Sequence, residues 1–503
     1  MKKLLEISKI VTLKKVKKLD VLDDSILQKN TKTSEFYEGL TSKKFKTDRN
    51  AAYLLYQSDP QDPNYRKLKS RFRQRLLNSL FFIEPNNASY SNYDKVMLNW
   101  YKEWAQIQIL LANGAKMTAA SMLKHIFRTA LKFQSAELIV KCARKLRELS
   151  AETGDLKDFD YYNNYIEQYK TILHAELKSE ELLQKMKLLY SLPKSKVKNQ
   201  QQKLNNYCDE TLLLSENHDS PVVSYNMFVT WILRYEMENE FEMVIEIIEN
   251  AEDFVNQNLK LFSAKKILFL SAKKMSIFLH IQDYQRGKNT AEKYISTIPS
   301  GEDYWFSFME HYLLLSLHSN NYYQAIAIYN RVINNVHFKK LEPIQKEKWV
   351  LISGYLHFLI KYHKESNINI QKKREYAFNE KKFVQKTPKH SPDHRILTIH
   401  EIVLQCLFLM LKKDYKSIEE KLSILNYIVD RKFKREDNSR AVFFIKLLQA
   451  LKRADFKRGD LSNIDKYYSK LRAHHFHYHG EIRGLEILPF ESLWTIFLDL
   501  LNE

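Results

Sequence analysis

The sequence predicts an all-α protein, a solenoid of stacked helix pairs with a small basic helical head at its N-terminus. Three observations lead there. Glycine and proline are scarce, 9 and 10 among 503 residues, and tight turns and hairpins depend on them, so all-β and doubly wound α/β folds are poorly supported. Apolar residues recur at helical spacing through long stretches rich in Leu, Lys, Glu and Gln, the composition helices favour. Finally, one short phrase returns at the seams between such stretches: Asn239-Glu240-Phe241-Glu242-Met243-Val244, Gln282-Asp283-Tyr284-Gln285-Arg286-Gly287, Asn320-Asn321-Tyr322-Tyr323-Gln324-Ala325 and Lys413-Asp414-Tyr415-Lys416-Ser417-Ile418. Each has a polar pair, an aromatic, two further residues and a small or aliphatic one. The intervals are 43, 38 and 93 residues, the last about two periods, which is the range of paired-helix repeats.

The elements follow in order. Residues 1–85 form a basic head. Lys2, Lys3, Lys9, Lys14, Lys15, Lys17 and Lys18 crowd its first segment, with Leu4, Ile7 and Val11 on one helical stripe. A second helix follows Thr47-Asp48, with Asp48 as its expected N-cap. Asp59-Pro60-Gln61-Asp62-Pro63 reads as a turn, because each proline disfavours helix at the residue before it. A third helix is expected from Asn64 to Ile83, with Leu68, Phe72, Leu76 and Leu80 on one face. Residues 90–192 read as long amphipathic helices broken at Gly114 and Gly154, and the polar stretch from Pro193 to Lys203 reads as a linker. The repeat array spans 204–360, a basic irregular insert with Pro388 and Pro392 spans 361–397, and C-terminal helical repeats with a tail span 398–503. In the tail, Pro489 is placed to open a last short helix at its first position.

Residues 204–360 resemble the tetratricopeptide-repeat superfamily, in which paired helices carry small residues at their contact. Asn321, Tyr322, Ala325, Tyr329 and Leu313 to Leu317 carry that resemblance best, with Tyr284, Ala291, Phe241 and Val244 more loosely. Most units lack the usual glycine, nearly all lack the closing proline, and the period varies, so the repeats are divergent. The whole chain is also similar to bacterial helical-repeat proteins of an uncharacterised type, with a basic head and a Glu486-Ile487-Leu488-Pro489-Phe490-Glu491 tail. That likeness implies a fold and brings no activity.

Composition narrows the function. Cys142, Cys208 and Cys406 are far apart, which suits neither a disulfide framework nor a zinc site, and a reducing cytoplasm fits them. The N-terminus begins like a signal peptide, but Glu6 and Lys9 interrupt any apolar core. No stretch reaches the 18 or so apolar residues of a membrane helix; the longest, Ile399 to Leu411, contains His400, Glu401 and Gln405. The expectation is a soluble cytoplasmic protein with no membrane contact. Aromatics reach 13%, and in stacked helices such rings mostly serve the core.

The formal charge is +20, with about half of the excess before residue 76, a field that attracts acidic partners. Arg66, Lys67, Lys69, Arg71, Arg73 and Arg75 make the third helix the candidate contact for DNA or RNA, following a short helix and a turn. Alternatively it is a solvated face, or docks on the acidic hairpin of Glu236, Glu238, Glu240, Glu242, Glu246, Glu249, Glu252 and Asp253. His475, His477 and His479 would share one side of an extended segment and are a weak candidate for a divalent metal. Catalytic readings lack parts: there is no Gly-rich phosphate loop, GxSxG, HExxH or CxxC. The leading expectation is a non-enzymatic scaffold or adaptor, without cofactor, that binds a protein or peptide in a concave groove. Its candidate lining is Trp231, Arg234, Tyr235, His311, Tyr312 and Trp349, each of which can equally be core. The runner-up is a regulator whose head binds nucleic acid while the solenoid senses a partner.

Overall fold

The computed structural model describes residues 31–42, 44–82, 92–192, 200–296, 298, 300–301, 303–363, 378–386, 394–432, 439–457, 464–476, 478 and 484–502. Among these residues all regular structure is helical, with no strand. The chain divides into two compact units, residues 1–123 and 124–503.

The first unit holds α1 (Lys32–Thr41), α2 (Asp48–Tyr56), α3 (Pro63–Ser79) and α4 (Asn92–Ala112). Phe36, Leu40, Phe45, Ala51, Leu55, Tyr65, Phe72 and Leu76 of α1 to α3 and their connections bury one another in a small core. The Phe36 and Phe72 rings meet edge to face, with centroids 5.2 Å apart, as ring quadrupoles prefer. Thr47, not Asp48, caps α2: its backbone is extended and its Oγ1 accepts from the Asn50 N–H at 3.2 Å. Asp48 sits in the first turn, and its carboxylate is engaged from α3 instead. Asp62 caps α3 by accepting from the Asn64 and Tyr65 N–H groups at 2.8 and 2.9 Å, with Pro63 at the first helical position, where its missing N–H costs nothing. The helix then tightens into a 3-10 turn at Leu80–Phe82; Ile83 and the lysine-rich first segment lie outside the described residues.

Helix α5 (Lys116–Lys132) crosses the boundary between the units. Then come α6 (Ala136–Thr153), α7 (Leu156–Tyr190), α8 (Gln201–Asn217), α9 (Pro221–Glu238), α10 (Phe241–Gln257), α11 (Ala264–Ile281), α12 (Tyr284–Tyr294), α13 (Asp303–His318) and α14 (Tyr322–Ile333). The last are α15 (Pro343–Tyr362), α16 (Glu380–Gln385), α17 (Arg395–Met410), α18 (Tyr415–Lys432), α19 (Ser439–Arg453), α20 (Ile464–Ala473) and α21 (Phe490–Asn502). From α6 to α15 and from α16 to α21 each helix packs on the next, and α7 on α9, α11 on α13 and α15 on α17 also pack across the intervening helix. One apolar core runs from Leu183 to Leu500.

The recurring phrase is a helix-to-helix turn. Its first residue, Asn239, Gln282, Asn320 or Lys413, takes a left-handed backbone with φ of 65°, 56°, 57° and 56°. The next residue's N–H then bonds the carbonyl five positions back, as in Glu240 to Tyr235, Asp283 to Phe278, Asn321 to Ser316 and Asp414 to Leu409, at 2.8–3.1 Å. That is the hydrogen bond that closes a helix end on a left-handed residue. The residue ending each phrase, Val244, Gly287, Ala325 or Ile418, is buried. At Gly287 a Cβ would stand 2.2 Å from Leu315 Cδ2, so a side chain there would require Leu315 of α13 to shift. Gln134 and Gly154 make the same turn without the phrase's aromatic.

Two further expectations change. The insert at 361–397 is not irregular throughout: α16 is seated by the buried Phe383, and Gln405 Nε2 donates to the Phe383 and Lys386 carbonyls at 2.8 and 2.9 Å. Residues 364–377 and 387–393 lie outside the described residues. Pro489 precedes α21 rather than opening it, its carbonyl accepting from the Leu493 N–H at 2.9 Å. Cys142, Cys208 and Cys406 are buried, and burial pushes each thiol up to about 12. No helix among the described residues is long and apolar enough to cross a membrane.

Candidate functional site

Two constellations carry polar chemistry, one in each unit. In the first, the helical spacing of α3 divides its cations into two stripes that flank its buried face of Tyr65, Phe72 and Leu76. Arg66, Lys69 and Arg73 form one stripe, and Lys67, Arg71 and Arg75 the other. Arg66, Lys67, Arg71 and Arg73 are exposed, while Lys69 and Arg75 are half-buried. Lys69 is not a free cation: its Nζ lies 2.7 Å from Asp48 Oδ1, which also accepts from the Tyr65 hydroxyl at 2.7 Å. Burial raises the Asp48 carboxyl, but the bonds from Lys69 and Tyr65 outweigh it and hold the pKa at about 2. The expected stripe of Arg66, Lys69 and Arg73 is therefore tied down in its middle. On the other stripe, Lys67, Arg71 and Arg75 line a cavity of about 310 Å³ together with Thr33, Tyr56, Asn64, Leu68 and Phe72.

Five of the acidic hairpin's eight carboxylates find cations within their own unit. Lys273 meets Glu236 at 2.6 Å, Lys274 meets Glu249 and Glu252 at 3.0 Å each, Arg286 meets Glu242 at 2.9 Å, and Arg234 pairs with Glu238.

The second constellation is interior, where helix side chains grip the chain's own C-terminal segment. Glu310 of α13 accepts from Lys348 Nζ of α15 at 2.5 Å and from the Tyr478 hydroxyl. All three are almost wholly buried. The Tyr478 N–H donates to His280 Nε2 at 3.0 Å, which makes Nδ1 the protonated nitrogen, donating to the Ser276 carbonyl at 2.7 Å. His318 and His400 carry the proton on Nε2 instead, donating to the Glu486 and Leu485 carbonyls at 2.8 and 2.7 Å. Burial holds both imidazoles neutral, with pKa values near 4. Arg440 of α19 donates to Glu486 at 2.6 and 3.0 Å and to Glu491 at 2.6 Å. It also donates to the Leu471 and His474 carbonyls at 3.1 and 2.7 Å. Leu485, Ile487, Leu488 and Phe490 are buried around these bonds, and the Phe490 ring stacks on His400 with centroids 5.7 Å apart.

The expected groove residues lie in or beside this interior. Trp349 and Tyr312 are core, and His311 is buried with its ring facing Tyr478 at 5.5 Å. Arg234 is buried and bonds Asn205 Oδ1 at 2.9 and 2.7 Å. Trp231 is half-buried, its Nε1 donating to the Cys208 carbonyl at 3.3 Å, and the half-buried Tyr235 packs on its ring. The six do not line one open surface. His475 is exposed, while His477 and His479 lie outside the described residues; among the described residues no His/Cys/Asp/Glu group is arranged to hold a metal.

Sequence reasoning missed His280, His318, Glu310, Lys348, Arg440 and Tyr478. The available signal was ionisable residues inside otherwise apolar helices, such as Glu310-His311 within Trp305 to Leu317. Protein-family models, curated protein sequences and solved structures show no match to this chain.

Proposed function

We propose that the protein is a non-enzymatic, divergent tetratricopeptide-like solenoid that binds nucleic acid through the basic face of α3. The observation carrying this reading is that Arg66, Lys67, Arg71 and Arg73 present their charge to solvent, while five of the acidic hairpin's eight carboxylates are engaged by cations of their own unit. Over residues 31–82, eleven lysines and arginines stand against five acidic residues, a field that releases counterions from phosphates. The interior is a poor site for an external ligand, since Glu310, His318, His400 and Arg440 already bond Tyr478, Leu485, Glu486 and Glu491.

The test is a filter-binding salt titration of the protein and of an Arg66→Glu/Arg71→Glu/Arg73→Glu variant, which leaves the Lys69–Asp48 pair in place. The protein should bind with a logarithmic salt slope growing by about 0.9 per duplex phosphate neutralised, and the variant should lose that binding. Weak, salt-independent binding that the variant leaves unchanged would overturn the reading.

A second reading is a scaffold for protein or peptide partners. It is favoured by the way α13, α17 and α19 already hold a non-helical stretch through its carbonyls and carboxylates. Partners recovered by affinity purification that survive nuclease would support it.

A further inference from the structure

The head's second stripe is more than a phosphate contact, because it borders a cavity. Lys67, Arg71 and Arg75 stand on one side of that 310 Å³ space, and Tyr56, Leu68 and Phe72 give it apolar walls. Its polar remainder is Thr33 and Asn64. Duplex DNA or RNA keeps its bases stacked inside, so a phosphate-only surface needs no such recess. A recess combining cations with an aromatic wall suits an unstacked base attached to its own phosphate. We infer that α2 and α3 bind single-stranded nucleic acid, with one base entering the cavity beside Tyr56 and the adjoining phosphates lying along Lys67 and Arg71.

The acids nearest Tyr56 do not oppose this. Glu35 is paired with Lys32 at 3.0 Å, and Asp62 Oδ1 is engaged by the Asn64 and Tyr65 N–H groups at the start of α3. One turn before Tyr56 on α2, Tyr53 is 66% exposed, an open ring on which a neighbouring base can stack.

This inference rests on the nucleic-acid reading, and one experiment separates the two. Binding of the full chain is measured at fixed salt to a single-stranded oligonucleotide, to its duplex, and to an abasic sugar-phosphate strand of the same length. The intact single strand should bind about 5- to 150-fold more tightly than the abasic strand, the range for stacking one base on an aromatic. It should also bind more tightly than the duplex. Tyr53→Ala, at an exposed ring, should narrow the gap, and Tyr56→Phe should preserve it. Lys67→Glu/Arg71→Glu should weaken all three ligands. Equal binding to the three would overturn base insertion while leaving the phosphate reading intact, and no binding to any would overturn both.

Discussion

Replacing Lys348 by methionine tests how the interior is held together. Lys348 is 1% exposed, and its ammonium lies 2.5 Å from the Glu310 carboxylate, itself 5% exposed. Methionine keeps most of the stem's volume but leaves Glu310 with only the Tyr478 hydroxyl. Breaking a buried pair from one side costs about 3–5 kcal/mol, because a desolvated charge is left unpaired. The second unit has ~380 residues, and unfolding entropy of about 2.1 cal/mol/K per residue gives roughly 0.8 kcal/mol/K. The melting temperature at pH 7 should therefore fall by about 4–6 °C. Adding Glu310→Leu and Tyr478→Phe removes the stranded carboxylate and the hydroxyl that needed it, and should restore all but about 1–2 kcal/mol. Calorimetry of the single and triple variants reads both values. A single-variant loss below about 1 kcal/mol, or a triple variant no better than the single, would refute the claim that this pair is desolvated and mutually dependent.

Acid should loosen the same region. His318 and His400 have folded pKa values near 4 against an ordinary 6.5, so as pH falls the unfolded chain takes up protons first. Stability fully present above pH 6.5 should be lost towards pH 4, by up to about 3 kcal/mol for each ring. His318→Gln should flatten that slope in acid-unfolding curves. Glu176 runs the other way: burial lifts its carboxyl to about 7, with Ser220 Oγ donating to it at 2.7 Å. The unfolded chain ionises first as pH rises, so stability should fall between pH 4.5 and 7, and Glu176→Gln should be the more stable form at pH 8 by about 3 kcal/mol at most. Lys413→Gly should raise stability by up to about 1 kcal/mol in denaturant unfolding, because Lys413 holds a left-handed backbone that suits glycine. Ala325→Trp should lower it by about 1–3 kcal/mol or more, since Ala325 is fully buried at the start of α14.

The helices and most seams were legible because their causes are local. The polar pair closes one helix and starts the next within six residues, and Asp283 and Asp414 accept from N–H groups three positions on, at 2.9 and 3.2 Å. The interior was not legible, because its bonds join residues with no local reason to meet. His400 and Leu485 are 85 positions apart, and Glu310 and Tyr478 are 168 apart. In the sequence alone a histidine in an apolar helix has the look of a satisfied core residue, and nothing near it names the carbonyl that satisfies it. The basic helix falls between these cases: spacing put Arg66, Lys69 and Arg73 on one stripe, but a partner 21 residues away on α2 claims Lys69.

The grip on Tyr478 and on residues 484–491 also sets an order of events during synthesis. His280 leaves the ribosome ~200 residues before Tyr478, which at about 5–20 residues per second is roughly 10–40 s. Until the last stretch is made, Glu310 lacks the Tyr478 hydroxyl, His318 its carbonyl acceptor and Arg440 its carboxylates, and burying these groups without them would be costly. The middle helices should stay hydrated and loosely packed until the final stretch arrives. A nascent or truncated chain lacking that stretch then exposes apolar helix faces to chaperones and proteases, so the fold carries its own check that translation has run through residue 491.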